Sequence, residues 1–217
     1  MSDTPSDSDV HPALRTRFCG LVGCRVPVVQ TGMGWVSGAS LTAATSAAGG
    51  LGILAAVTMT GDQLAEAVAT VKARTGAPFG VNFRADQPAL ADRIDLCVRE
   101  GVRLVSFAGA PTKDAIGRLH DAGILVMPTV GARRHAEKML DWGVDAVIAQ
   151  GGEGGGHTGT IPTSLLLPQV VDAVGHAAPV LGAGGFHDGR GLVAALAWGA
   201  DGVAMGTTPL DTIPLRS

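Results

Sequence analysis

Five things are scarce or missing in this chain of 217 residues, and each absence argues against a class of function. Charged residues make up only 16% of it, with a net charge of −3 and no run of lysine or arginine. That leaves no electrostatic footprint for a nucleic acid or an anionic membrane. Cysteine occurs three times, at Cys19, Cys24 and Cys97, an odd set without a Cys-x-x-Cys pair, which argues against a disulfide framework or a zinc site and for reduced thiols. No stretch reaches the roughly 18 consecutive apolar residues of a membrane span. The first nine residues are polar and acidic, unlike a secretory leader. Finally, there is no Gly-Lys-Ser/Thr motif and no glycine fingerprint after the first strand-like run, so neither a P-loop nor a dinucleotide fold is supported. The expectation is a cytoplasmic protein with a flexible leader over residues 1–16, one domain over 17–207 and an irregular tail over 208–217.

What the chain has in abundance is glycine, 32 residues, set in a sequence that is 46% hydrophobic and long enough for one large core. Eight short apolar runs recur at residues 26–31, 51–56, 79–83, 104–108, 125–130, 146–150, 179–183 and 202–205. They are apolar throughout rather than alternating, as strands covered on both faces should be. Helical spacing fills the intervals, most clearly at 62–74, 90–100, 112–122, 132–142 and 191–198. Gly76, Gly101, Gly123, Gly143 and Gly199 follow these segments where a left-handed C-cap would stop a helix. Gly101-Val102-Arg103, Gly143-Val144-Asp145 and Gly199-Ala200-Asp201 are three copies of one approach to the next strand. Eight strands alternating with helices predict an α/β fold, a (β/α)8 TIM barrel whose chemistry lies at the carboxyl ends of the strands. An open doubly wound sheet is the alternative, but the unusual residue clusters follow strands one, three, six, seven and eight, and a closed ring gathers all of these at one mouth.

The densest cluster is Gln150-Gly151-Gly152-Glu153-Gly154-Gly155-Gly156-His157-Thr158-Gly159. Its six glycines leave peptide N–H groups able to approach a phosphate or a flat ring, and His157 is the adjacent group able to move a proton near neutral pH. A floppy loop with a solvated histidine is the plainer alternative. Glu153 could pair with His157 as an acid and base, but the spacing sets no geometry. After the seventh and eighth strands, Gly184, Gly185, Gly206 and Thr207 fit a phosphate cradle made of backbone N–H groups and a helix N-terminus. Gln30-Thr31-Gly32-Met33-Gly34-Trp35 offers small residues, a thioether and an indole to a flat conjugated ring; a tight turn with Met33 and Trp35 in the core is the competing reading. Asn82 ends the third strand with a carboxamide that suits a polar ring edge, or else caps a helix. His11, His120, His135, His176 and His187 lack metal-ligand spacing; His187 alone is expected near the mouth, and no metal site is proposed.

Together, Gln30 to Met33, Val81-Asn82-Phe83, Gln150 to Gly159, Ala183-Gly184-Gly185 with Asp188-Gly189-Arg190-Gly191, and Met205-Gly206-Thr207 resemble the nitronate monooxygenase (2-nitropropane dioxygenase-like) family of FMN-dependent barrels. The resemblance implies FMN held by Thr31, Gly32, Met33, Asn82, Gln150, Gly155, Gly184, Gly185, Ala204, Met205, Gly206 and Thr207, with His157 as the catalytic base. The implied activity is oxidation of alkyl nitronates with O2. The first loop reads Gln-Thr-Gly-Met-Gly-Trp where many members have Gln-Ala-Pro-Met, which looks more like an actinobacterial branch acting on CoA thioesters in steroid breakdown. A reductase or dehydrogenase of a CoA thioester is therefore the alternative substrate class. The prolines at 209 and 214 are incompatible with the helical segment that family members carry after Met-Gly-Thr, so the expected barrel has all eight strands but lacks its last helix and substrate-side segment. A non-catalytic flavin-binding remnant, a phosphate-sugar barrel and a homo-oligomer that covers the open side are the remaining alternatives.

Overall fold

The computed structural model describes residues 10–156 and 158–206. Eight parallel strands close into a barrel in chain order: β1 (Val28–Gln30), β2 (Leu51–Ala55), β3 (Phe79–Arg84), β4 (Leu104–Ala108), β5 (Leu125–Val130), β6 (Val147–Gln150), β7 (Val180–Ala183) and β8 (Gly202–Met205). Closure is explicit in the pairing of β1 with β8, Val28 against Val203, Val29 against Ala204 and Gln30 against Met205, which removes the open-sheet alternative. Helix α1 (Arg17–Val22) precedes β1. Helices α2 (Ala39–Ala47), α3 (Gly61–Arg74), α4 (Leu90–Glu100), α5 (Lys113–Asp121), α6 (Arg133–Asp141), α7 (Thr163–Val174) and α8 (Gly189–Ala197) each follow one strand from β1 to β7. The tail at 208–217 and the helix expected to be missing there lie outside the described residues.

Strand pleating sorts the apolar runs into two shells. Val29, Leu51, Ile53, Leu104, Met127, Ile148, Leu181 and Ala204 fill the barrel interior, joined by Phe18, Cys19 and Val22 of α1, which plug one end. The alternate residues, among them Leu54, Val81, Phe83, Val105, Phe107, Val126, Val147, Val180 and Val203, pack outward against Leu64, Val68, Ile94, Leu119, Met139, Leu166 and Val170 of the helices. Continuous hydrophobicity in the strands is the consequence of having two buried faces. The three cysteines are free and buried. Cys24 donates its thiol hydrogen to Cys19 Sγ at 3.9 Å; that hydrogen bond lowers the Cys19 pKa to about 6, while Cys24 itself is raised by the same bond and by burial. Burial alone pushes Cys97 up to about 12. Among the described residues no helix is long and apolar enough to cross a membrane.

Helix ends follow local chemistry. Thr60 and Gln63 form a reciprocal capping box on α3, Thr112 accepts from the Ala115 N–H on α5, and Asp188 accepts from the Arg190 and Gly191 N–H groups at the start of α8. That cap starts α8 at Gly189, two residues before the expected 191. Gly101, Gly123, Gly143 and Gly199 adopt the left-handed conformation predicted for them. Gly76 does not: Thr75 caps α3 in an extended conformation. Strands β1 and β7 begin after Pro27 and Pro179, which have no N–H to donate, so both are shorter than the sequence runs suggest. Helices α1, α2 and α7 were not singled out in the sequence. The first has six residues, the second is dominated by Ala, Ser and Thr, and the third contains Pro168 within a nearly unbroken apolar run.

The triplicated approach to a strand has a common physical role, because its third residue latches the plugged end of the barrel. Asp145 accepts from the Val126 N–H at 2.8 Å, and Asp201 accepts from the Val180 N–H at 3.1 Å, so each aspartate ties its own strand to the one before it. Arg103 reaches Val22 O at 3.1 Å instead. Asp201 also takes Arg17 Nε and Nη2 at 3.0 and 2.8 Å, and its carbonyl accepts from Thr16 Oγ1 at 2.6 Å, fixing the α1 plug across the β8–β1 seam. Removing this carboxylate strands three donors, of which Arg17 can turn to water. Asp201→Ala should therefore cost about 2 kcal/mol, read as a lower urea midpoint with an unchanged slope; a midpoint equal to wild type would show that the latch contributes nothing.

Candidate active site

The carboxyl ends of the strands open on a cavity of about 580 Å³, within the usual range for a cofactor or small-molecule site of roughly 300–1,000 Å³. Thr31, Gly32 and Met33 after β1, Asn82 on β3, Gln150 at the end of β6 and Gly155 after it, Gly184 and Gly185 after β7, and Ala204 and Gly206 at β8 all line it. The clusters picked out separately in the sequence thus share one mouth. Met205 does not face it. Alternation along β8 turns its side chain into the outer shell, and only its carbonyl meets the first loop, accepting from the Thr31 N–H at 3.1 Å. His157 and Thr207 lie outside the described residues. His187 is exposed, with Nε2 3.7 Å from Asp188, and is not part of the lining.

Close approach of main chains builds the wall between β6 and β7. A Cβ on Gly184 would stand 2.9 Å from the Gly154 nitrogen, 2.9 Å from Thr163 Oγ1 and 3.0 Å from Gly151 O. The residue also sits at φ +97°, so both sterics and backbone demand glycine. Glu153 pins this wall from the other side, because its Oε2 accepts from the Thr163 N–H at 2.7 Å and from Thr163 Oγ1 at 2.6 Å. The Thr163 hydroxyl, then its N–H, holds the Glu153 pKa below the ordinary carboxylate value. The carboxylate serves as a cap on α7, which commits Oε2; the pairing suggested for it with His157 falls on a residue outside those described. The described part of the glycine loop is held by Glu153 and by Gln150 Nε2, which donates to Gly155 O at 3.0 Å.

The opposite wall rests on a buried carboxamide. Gln30 is fully buried; its Nε2 donates to Ser37 Oγ at 2.8 Å, Ile53 O at 3.1 Å and Thr31 O. Ser37 Oγ in turn donates to Thr31 O and accepts from the Met33 N–H, both at 2.8 Å. This network folds the first loop back over the strand end and sets Met33 on the cavity. Trp35 is 89% exposed, so the core-packed turn is excluded. A Cβ on Gly32 would stand only 2.4 Å from Asn82 Cβ, which brings the first loop against the β3 carboxamide. Asn82 lies within the strand rather than at a helix start; its Nδ2 donates to Ser106 Oγ at 2.9 Å, leaving Oδ1 as an acceptor for a ligand.

Ser106, Thr129 and Ile148 also line the cavity and escaped the sequence reading. Ser106 did leave a signal, a hydroxyl in the middle of the otherwise apolar β4, where an inward position has to find a partner. At the phosphate-like end the expectation changes in one respect. The first N–H groups of α8 are taken by Asp188, whose pKa is lowered to about 2, first by the Arg190 guanidinium, so the helix N-terminus is already occupied by a carboxylate. The backbone of Gly184, Gly185 and Gly206 remains as the bare surface at that end; the N–H groups of Gly184 and Gly185 donate to no backbone carbonyl of the described residues. The cavity therefore combines an apolar floor, a carboxamide acceptor at one side and side-chain-free backbone at the other, the requirements of a flat, phosphorylated ring system.

The comparisons agree with that geometry. Residues 15–213 match the family described as Nitronate monooxygenase. A relative from Mycobacterium tuberculosis, named (3aS,4S,5R,7aS)-5-hydroxy-7a-methyl-1-oxo-octahydro-1H-indene-4-carboxyl-CoA dehydrogenase, is 61% identical over 92% of this chain and 56% of its own length. The chain thus spans a little over half of that relative. Among solved structures, FabK from Thermotoga maritima superposes with a TM-score of 0.88 at 38% identity, over 92% of this chain and 63% of its own. A nitroalkane oxidase from Streptomyces ansochromogenes gives a TM-score of 0.82 at 34% identity, over 89% of this chain and 67% of its own. Fold, mouth and sequence agree, and the chain belongs to the nitronate monooxygenase family.

Proposed function

We propose that this chain is the flavin-binding barrel of an FMN-dependent oxidoreductase that dehydrogenates a CoA thioester. The observation that carries the reading is the 61% identity, over 92% of the chain, to a carboxyl-CoA dehydrogenase, whose name describes a hydroxylated, fused-ring acyl group. Three features support FMN. Oδ1 of Asn82 can accept from the polar edge of an isoalloxazine, Met33 offers a soft apolar contact to its face, and the N–H groups of Gly184 and Gly185, which line the cavity, donate to no backbone carbonyl of the described residues. Gly185 and Gly206 would hold the phosphate through main-chain N–H groups. Bound there, FMN would supply a two-electron acceptor that no side chain of this chain could replace.

The protein's part is binding, orientation and one proton. A thioester carbonyl acidifies the hydrogen on the adjacent carbon, so a base within reach can take it. We assign this to His157, which in sequence falls between Gly156, on the cavity, and Thr158, on the recess beside it. The imidazole would receive the α-proton and later release it to water. The clamp of Glu153 on Thr163 anchors the loop that carries this base, and the apolar floor excludes water from the reacting carbon.

Oxidation of alkyl nitronates with O2 is the second reading, favoured by the family match and by the likeness to a nitroalkane oxidase. A neutral nitroalkane has an acidic α-hydrogen as a thioester does, so the same base could take it, whereas a nitronate has already lost that proton and would call on the cofactor alone. Direct assay separates them. Anaerobic bleaching of the flavin absorbance by a fused-ring acyl-CoA, without oxidation of nitronates, is the expected result; turnover of nitronates alone would reverse the order, and tight FMN with neither activity would make the chain a non-catalytic remnant. With the acyl-CoA or a neutral nitroalkane as substrate, His157→Ala should keep the flavin and lower turnover roughly 10²–10⁴-fold; unchanged turnover on either would remove His157 as the base. Gly185→Val, at a residue with φ +77°, should abolish FMN retention after gel filtration by blocking backbone approach to the phosphate, and a variant that stays stoichiometrically yellow would refute that cradle.

A further inference from the structure

The first loop has two sides. Thr31 to Gly34 face the central cavity, whereas the residues after them face a separate recess of about 430 Å³ lined by Trp35, Thr58, Met59, Gln63, Glu66 and Thr70 among others. Trp35 stands out here on two counts. Among the described residues it is one of two non-glycines with positive φ, at +67°, and it is 89% exposed. An indole in water and a left-handed backbone both cost free energy, and the fold gains no packing from this side chain. The conformation is held firmly all the same. Val36 and Ser37 N–H groups return to Met33 O at 3.1 and 2.8 Å, Gly38 N–H to Val36 O at 2.8 Å, and the Trp35 N–H reaches Thr58 Oγ1 at 3.4 Å. Ser37 is locked below by Gln30. Strain kept in place by a rigid network points to a ligand.

The recess specifies the chemistry of that ligand. It offers one flat aromatic plate, a carboxylate on Glu66, and the amide of Gln63, whose Oε1 already accepts from the Thr60 N–H at 2.8 Å, leaving Nε2 to donate. No lysine or arginine lines it, so the recess suits an uncharged base, and phosphates attached to that base would stay in solvent. A plate with an adjacent acceptor and donor matches a purine whose exocyclic amino group meets Glu66 and whose ring nitrogen meets Gln63. We propose that Trp35 and the recess beside it bind the adenine ring of the CoA ester, with the pantetheine arm crossing the first loop to bring the thioester into the central cavity. This assignment rests on the reading that the substrate is a CoA thioester; it adds the residues that select the nucleotide end. Trp35 binds, and takes no part in the chemical step.

Calorimetric titration of the purified protein with free coenzyme A and, separately, with NADH tests the proposal, using Trp35→Ala, Trp35→Phe, Trp35→Gly and Glu66→Gln. Loss of the stacking plate should weaken coenzyme A about tenfold or more, whereas phenylalanine should retain most of the affinity and Glu66→Gln should lose severalfold. Trp35→Gly suits the left-handed backbone, so its melting temperature should equal or exceed that of wild type while coenzyme A affinity falls. Equal affinity in wild type and Trp35→Ala would overturn the assignment and leave the thioester reading intact. Weakening of NADH but not of coenzyme A would overturn it in favour of a dinucleotide. A melting temperature lowered in Trp35→Gly would assign the indole to the fold, and absence of coenzyme A binding in the wild type would overturn this inference together with the substrate on which it rests.

Discussion

Contact between two main chains, where a side chain on either would intervene, is the constraint from which the mouth of this barrel is built. The loops after β6 and β7 meet at Gly184, Gly154 and Gly151, and the Glu153 carboxylate joins them to the first turn of α7 through two donors of Thr163. A carboxylate that accepts a hydroxyl and an N–H together is held ionised, and its lowered pKa follows directly. The consequence is a glycine-rich segment whose described part is anchored although its composition alone suggests mobility. Bare backbone on the cavity side and a pinned carboxylate behind it are two aspects of the same packing.

A second anchor does comparable work across the cavity. Gln30 is buried at the end of β1, and its hydrogen bonds to Ser37, Ile53 and Thr31 convert what would be a free connection into a folded shelf. Buried polar networks of this kind are stabilising only when satisfied; Gln30 Oε1, without a partner among the described residues, is the unsatisfied point of this one. The shelf separates two recesses, turning Met33 toward one and Trp35 toward the other. Placement of the central cavity beside the second recess is then a property of one seven-residue turn, Thr31 to Ser37.

The far end of the barrel gives those loops a fixed frame. Helix α1 plugs the interior with Phe18, and Asp201 ties that plug to β7 and β8 with hydrogen bonds from Arg17, Thr16 and Val180. Because the closed ring has no edge, the positions of all eight strand ends are mutually determined. Chemistry at the mouth can thus vary between members of the family, on nitronates or on thioesters, while the frame stays the same.

Eight apolar runs with glycine-terminated helices were enough to predict the barrel, because strands buried on both faces and left-handed caps leave local signatures that do not depend on distant contacts. The same locality marked out Gly184, Gly185, Gly32 and Gln150, which line the cavity, each a departure from what an ordinary strand end requires. Gly76, the lengths of β1 and β7, and helix α7 were misread or missed because proline, a polar cap or an apolar run overrode the local rule. Glu153 as a cap, Ser106 as the partner of Asn82, the helix N-terminus occupied by Asp188, and Trp35 turned away from the core were beyond the sequence altogether. Asp188 at the start of α8 is a local cap; the others depend on groups from separate segments, and their partners and exposure are decided only when the folded chain brings those segments together. The chain's own order of residues determined the architecture and the composition of its mouth; tertiary packing alone decided which of those residues are free to meet a ligand and which are already committed to one another.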